Sequence, residues 1–162
     1  MIKVLFICHG NICRSPMAEF VFRDMVLSAG LSDRISAASA ATSTEEIGNP
    51  VHRGTRRMMQ LHGIPMTDHR AVQLDKKDYK VYDYLIGMDR WNLRNMERIL
   101  GKDPAGKIWR LLDLTEERRD VADPWYTGDF EQPYRDVCLG CRALLKRICT
   151  EQGWQVELRW QK

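Results

Sequence analysis

Four short apolar runs alternate with segments of helical spacing along this chain of 162 residues, and that alternation restricts the fold more than any other feature. "KVLFI" at 3–7 is a continuous apolar run, the pattern of a strand buried on both faces. Met17, Phe20, Val21, Met25 and Val26 then recur at helical spacing, with Pro16 suited to a first helical position and Gly30 to a stop. "RISAASAAT" at 34–42 predicts a second strand. Residues 49–64 predict a second helix, with Asn49 as its cap, Pro50 in its first turn and Gly63 as its stop. A short helix is expected at 75–79, in the connector that follows. "YDYLIGM" predicts a third strand, "DRWNLRNMERIL" a third long helix stopped by Gly101, and "KIWRLLDL" a fourth strand. The polar, proline-broken stretch at 115–133 reads as a long loop of the kind that carries function, and a last helix is expected over 131–152. Strands followed by crossover helices argue an α/β fold with a parallel sheet and right-handed connections. No linker, repeat or low-complexity segment divides the chain, so residues 1–162 are read as one domain. In the extension at 154–162, Trp154, Val156, Leu158 and Trp160 alternate with polar residues. That pattern predicts an extra strand at a sheet edge or a cover over a sheet face, with an exposed side open to self-association.

Composition narrows the function. The net charge of +3 is too small for a nucleic-acid binder and fits at best a mild preference for anionic small ligands. No apolar run is long enough to span a membrane, and the N-terminal "VLFIC" is too short for a secretory core, so the chain is expected to be mature and cytoplasmic. Its five cysteines are an odd number, which in a cytosolic chain points to reduced thiols, metal ligands or catalysts. Cys138 and Cys141 form a C-x-x-C, but they share a helical pattern with Val137, Leu144, Leu145 and Ile148. With no second pair and no nearby histidines, a metal site is not expected, and the two cysteines read as helix residues.

The chemistry concentrates in "CHGNICRSPMAE". In an open parallel sheet, ligands sit beyond the carboxyl ends of the strands, and Cys8 ends the first strand. Gly10 and Asn11 are the residue types that best tolerate unusual backbone angles, so the turn can aim successive N–H groups inward as an anion nest. The helix start near Ser15 adds free N–H groups and a positive dipole end, and Arg14 adds paired donors for phosphate oxygens. The same field favours a thiolate at Cys8, which can attack a phosphorus held above it. Two other phosphate loops are absent: there is no G-x-x-x-x-G-K-[ST] and no G-x-G-x-x-G. A C-x5-R pair alone would be weak; between a strand and a helix start, with Gly, Asn and Ser-Pro around it, it is specific.

That stretch resembles the signature loop of the low-molecular-weight protein tyrosine phosphatases, C-x-G-N-x-C-R-S-P. The resemblance continues through "ATSTEEIGNP", "YDYLIGMDRWNLR" and "DPWYTGDFE" and covers nearly all of residues 2–150. It implies a three-layer, flavodoxin-like fold, a four-stranded parallel sheet flanked by helices, and a two-step hydrolysis of phosphate monoesters without metal or cofactor. By position, Cys8 resembles the nucleophile and Arg14 the phosphate clamp, while His9, Gly10, Ile12 and Cys13 complete the loop. Asn11 resembles the residue that holds the strained loop through its side chain. Ser15 resembles the donor to the thiolate, and Ser39 the serine that hydrogen-bonds Asn11. Asp123 of "DPWY" resembles the general acid, its loop restricted by Pro124. Asp89 matches a frequent family position and is read only as the cap of the third long helix. The resemblance also implies that Cys13 traps an oxidised Cys8 as a reversible disulfide; a small residue needed for packing is the other reading.

The rim departs from the family. Glu45 and Glu46 stand where many members carry a bulky aromatic, and two carboxylates at a mouth repel acidic flanking residues. Trp125 and Tyr126 can wall a phenyl ring. Ile12 occupies a position where the related phosphoarginine phosphatases carry Thr. The expected substrate is therefore a phosphotyrosine protein or small aryl phosphate, handled by a monomer or weak homodimer that engages neither nucleic acid nor membrane. Alternatives at this point are a phosphoarginine phosphatase, an arsenate reductase on the same fold, and a phosphate-recognising module without turnover. The reductase needs a further thiol pair reachable by Cys8, and residues 14–137 contain none.

Overall fold

The apolar run at the N-terminus forms β1 (Ile2–Cys8), the strand on which the sheet is built. The computed structural model describes residues 1–162. With β2 (Ile35–Ala41), β3 (Tyr84–Gly87) and β4 (Ile108–Arg110), β1 forms one parallel sheet in the order β2-β1-β3-β4. Successive side chains of β1 go to opposite faces, and both faces are covered: Val4, Phe6 and Cys8 join the larger core cluster, Leu5 and Ile7 the smaller one. On the larger side pack α1 (Arg14–Ser28) and α6 (Glu131–Gln152). The smaller side is closed by α4 (Arg90–Leu100), through Met96 and Leu100. This is the three-layer α/β arrangement the sequence predicts. The chain leaves β1 toward β2 on one side and returns to β3 on the other, so the strand order reverses at the carboxyl end of β1, where Cys8 stands.

Three boundaries differ from expectation. The second helix, α2, spans Arg53–Leu61 and is capped by His52, whose ring nitrogen accepts from the Gly54 N–H; Asn49 is not the cap. Asn49 and Pro50 are instead pinned to the segment at 70–71, through the Ala71 N–H to the Asn49 carbonyl and a bridge between Pro50 and Arg70. β4 has only three residues, because β3 offers it only Leu85–Gly87; beyond them Leu111–Leu114 coil into a 3₁₀ turn that buries Leu111 and Leu112. The short helix α3 lies at Asp78–Val81 rather than 75–79.

The C-terminal extension is not a strand. It lies over the helices, paired with no strand, and its polar groups are met by side chains. The buried Trp160 donates its indole N–H to Asp24 of α1 at 2.8 Å, Arg142 donates to the Trp160 carbonyl at 2.8 Å, and the Tyr134 hydroxyl donates to the Lys162 carbonyl at 2.6 Å. Trp154, Val156 and Leu158 rest half-buried against the larger core. No helix is long and apolar enough to cross a membrane.

Candidate active site

The turn from β1 into α1 wraps around the Cys8 sulfur. Cys8 Sγ accepts from the Asn11 N–H at 3.3 Å and the Ser15 N–H at 3.4 Å, and lies 3.0 Å from Ser15 Oγ. The Asn11 side-chain N–H₂ donates to Ser15 Oγ at 2.8 Å, which leaves the hydroxyl hydrogen directed at the sulfur. No side chain caps α1, and the N–H groups of His9, Gly10, Ile12, Cys13 and Arg14 donate to no protein acceptor. Those donors above the sulfur, with the N-terminal end of α1 behind them, form an anion cradle.

Asn11 is fully buried and has φ of 60°, a left-handed conformation that an asparagine adopts at a cost. Three contacts hold it there. Its Oδ1 accepts from the Val72 N–H at 3.1 Å, its amide reaches Ser15, and its carbonyl accepts from His69 Nε2 at 3.0 Å. Ser39 is not among them. Its hydroxyl donates to Glu19 at 2.6 Å, because the buried Glu19 carboxylate stands in between and needs donors; Arg23 supplies another at 3.2 Å. The expected Ser39–Asn11 bond is therefore absent. Glu19, His69 and Val72 carry no motif that would flag them in the sequence.

Arg14 is buried and anchored on one side. One terminal nitrogen donates to Asp89 at 2.9 Å and to the Val121 carbonyl at 3.0 Å, and the other reaches Asp123 at 3.4 Å. Its Nε has no protein partner. Burial works against the guanidinium charge, but Cys8, Asp123 and Asp89 outweigh it and hold the group above the usual arginine value. Asp89 caps α4 as expected, in a reciprocal capping box with Asn92, and it also forms the ion pair with Arg14 that the sequence reading missed. Asp123 accepts from the Trp125 N–H at 3.0 Å with its other oxygen and so caps the single turn α5 (Pro124–Thr127).

Cys8, Arg14 and Asp123 open into a cavity of about 930 Å³, walled also by His9, Gly10, Ile12 and Cys13. Glu45, Glu46, Trp125 and Tyr126 line its mouth, as expected, and so do Trp91, Asn95 and Asp120, which the sequence did not single out. Glu45 meets His9 at 3.1 Å, and Glu46 accepts from Asn49; neither carboxylate has a lysine or arginine partner. Trp91 is exposed on α4, and its nearness to Asp89 in the chain is the one signal the sequence held. Burial, followed by the nearby Cys8 and Asp123, pushes the Cys13 thiol up to about 12, which favours its protonated form. Cys138, Cys141 and Cys149 all lie on α6, and none lines the cavity. No cluster of three His, Cys, Asp or Glu side chains is arranged to hold a metal ion.

Residues 3–153 match the family model of the low molecular weight phosphotyrosine protein phosphatases, leaving the C-terminal extension at 154–162 outside it. The chain is 42% identical over 154 residues to the low molecular weight protein-tyrosine-phosphatase YfkJ of Bacillus subtilis, covering 94% of this chain and 99% of that protein. It is 42% identical over 151 residues to the human low molecular weight phosphotyrosine protein phosphatase, covering 90% and 94%. The crystal structure of YfkJ superposes with a TM-score of 0.91 over 94% of this chain and 97% of the other.

Proposed function

Because the chain belongs to the low molecular weight phosphotyrosine protein phosphatase family, we propose that Cys8, Arg14 and Asp123 carry out its hydrolysis of phosphotyrosine. The chain is a protein-tyrosine-phosphatase, a phosphoric monoester hydrolase. The observation that carries the residue assignment is the convergence of two backbone N–H groups and Ser15 Oγ on Cys8 Sγ beneath a ring of unpartnered amides.

The phosphate dianion settles into that ring and onto Arg14, and takes the place of Asp123 as partner of the guanidinium. Asp123 Oδ2 then turns to the bridging oxygen. Cys8 attacks phosphorus in line, the phosphorus–oxygen bond breaks, and Asp123 gives its proton to the departing phenolate. Water next attacks the cysteinyl phosphate. Asp123 takes the water's proton, the sulfur–phosphorus bond breaks, and the returning thiolate is received by the Ser15 hydroxyl and the two amides. Trp125 and Tyr126 flank the phenyl ring. The carboxylates of Glu45 and Glu46, which have no lysine or arginine partner, favour basic residues beside the phosphotyrosine. The cycle uses no metal or cofactor. Five free thiols support a reducing cytoplasm as its place of action, and the enzyme works there as a monomer or weak homodimer.

Hydrolysis of a phosphotyrosine peptide, with chelator and reductant present, tests the assignment. Cys8→Ser is expected to abolish turnover, and Asp123→Asn to lower kcat/KM by roughly 10²–10⁴-fold. Acid-quenched wild-type enzyme should carry phosphate on sulfur. Full activity in Cys8→Ser would refute the nucleophile. A preference for phosphoarginine over phosphotyrosine would move the substrate class, even though Ile12 stands in the loop.

A further inference from the structure

The loop that carries Asp123 is tied down at both ends, and its far anchor takes no part in the steps above. At the near end, the Val121 N–H donates to the Met88 carbonyl at 2.9 Å, and Asp136 holds Arg119 through both carboxylate oxygens, at 2.8 and 3.0 Å. Between the ends, Trp125 and Tyr126 are exposed, Gly128 has φ of 71°, and the single turn of α5 has little packing of its own. The far end is Phe130. Its ring stacks on the His52 imidazole with centroids 5.3 Å apart and an interplanar angle of 16°. It also lies directly over Gly54, where an added Cβ would overlap its ring carbons, and packs against the small cluster that Ile12 and Cys13 of the phosphate loop form with Ala71. Trp125 meets the same imidazole edge-on at 6.1 Å.

His52 is itself fixed to the phosphate loop. Its N–H donates to the Ile12 carbonyl at 2.9 Å, and the next turn adds a bond from Thr55 Oγ1 to the Cys13 carbonyl at 3.0 Å. One imidazole is thus bound to the nucleophile's loop through the main chain and to the acid's loop through two aromatic rings. A weakly packed segment takes its position from its ends, and a general acid must stand within hydrogen-bond reach of the leaving oxygen. We infer that His52, Gly54 and Phe130 form a seat that sets the position of Asp123 over Cys8. They are positioning residues, acting through Asp123, and the inference rests on Asp123 being the general acid. Gly54 belongs to the seat because no other residue lets the Phe130 ring come so close to the start of α2.

The test uses the purified full chain, with Gly54→Ala overfilling the seat and Phe130→Ala emptying it, each alone and combined with Asp123→Asn. kcat/KM is measured on a phosphotyrosine peptide, whose phenol needs a proton to leave, and on dinitrophenyl phosphate, whose phenol does not. Each seat variant is expected to lose about tenfold or more on the peptide, since a small misplacement of a catalytic group costs up to about a hundredfold. On dinitrophenyl phosphate the loss should stay within about twofold, and neither variant should lower the peptide rate further in the Asp123→Asn background. Equal losses on both substrates, additive losses with Asp123→Asn, or wild-type rates in both variants would overturn the seat. Wild-type rates in Asp123→Asn alone would instead overturn the acid assignment, so the two failures are distinct.

Discussion

Asn11 shapes this site through both its backbone and its side chain. Its left-handed backbone turns the loop so that its own N–H faces Cys8 Sγ, and its side chain aims the Ser15 hydroxyl at the same sulfur. An alanine there adopts the left-handed conformation less readily than an asparagine and loses the partner of the partly buried Val72 N–H, worth about 1–3 kcal/mol. Asn11→Ala is therefore expected to destabilise the protein by about 1–3 kcal/mol, read from the urea midpoint, and to lower turnover even where the chain remains folded. An unchanged midpoint would mean that the loop holds its shape without this side chain. Cys8, Asn11, Arg14 and Ser15 were legible because they occupy one short stretch between a strand and a helix. Ser39 bonds a partner its position in the sequence does not indicate, because pairing follows burial: Glu19, far from it in sequence, is a buried carboxylate that takes its hydroxyl.

At the scale of elements, helix propensity and packing give opposite answers at Gly140. In an exposed helix, Gly→Ala stabilises by about 1 kcal/mol. Here α6 passes so close to the 3₁₀ turn at Leu111–Leu114 that a Cβ on Gly140 would overlap the Leu111 side chain, which is fully buried. Gly140→Ala is expected to destabilise by about 1–3 kcal/mol, with calorimetric Tm as the check, and a rise in Tm would show that Leu111 has room to move. The existence and type of the long helices and of all four strands followed from apolar spacing. Their ends did not: α2 starts late because Asn49 and Pro50 are held by the 70–71 segment, and β4 stops where β3 stops pairing. The same limit applies to the extension, whose alternating tryptophans spell a strand although the segment pairs with none.

For the whole molecule, the buried thiols set an alkaline limit. Burial raises Cys13 to about 12 and Cys138 to about 11, from an ordinary value of 9.0, and raises Cys141 and Cys149 as well; Tyr84 and Tyr134 are also shifted upward. The folded state keeps these protons where the unfolded chain releases them. Their contribution is complete below about pH 9 and is lost as pH rises through 11 to 12. Unfolding free energy from urea titrations should be flat in this respect from pH 7 to 8 and fall from about pH 9 upward. Cys138→Ala should reduce the slope by up to about one proton. A slope unchanged in that variant would mean that the Cys138 thiol ionises as freely in the folded state as in the unfolded one.

The sequence by itself determined the alternation of strands and helices, the phosphate-binding turn with its nucleophile, and the family to which the chain belongs. Each is written in neighbouring residues whose spacing, backbone tolerance and charge act over a few bonds. Only the tertiary structure decided that Asp89 pairs with Arg14, that Glu19 takes Ser39, that the C-terminal tryptophans lie on helices, and that Phe130 rests on His52 beside Asp123. These pairings join residues far apart in the chain. They are fixed by the requirement that every buried charge and ring find a partner in the packed molecule, and spacing along the sequence carries no record of which partner that is.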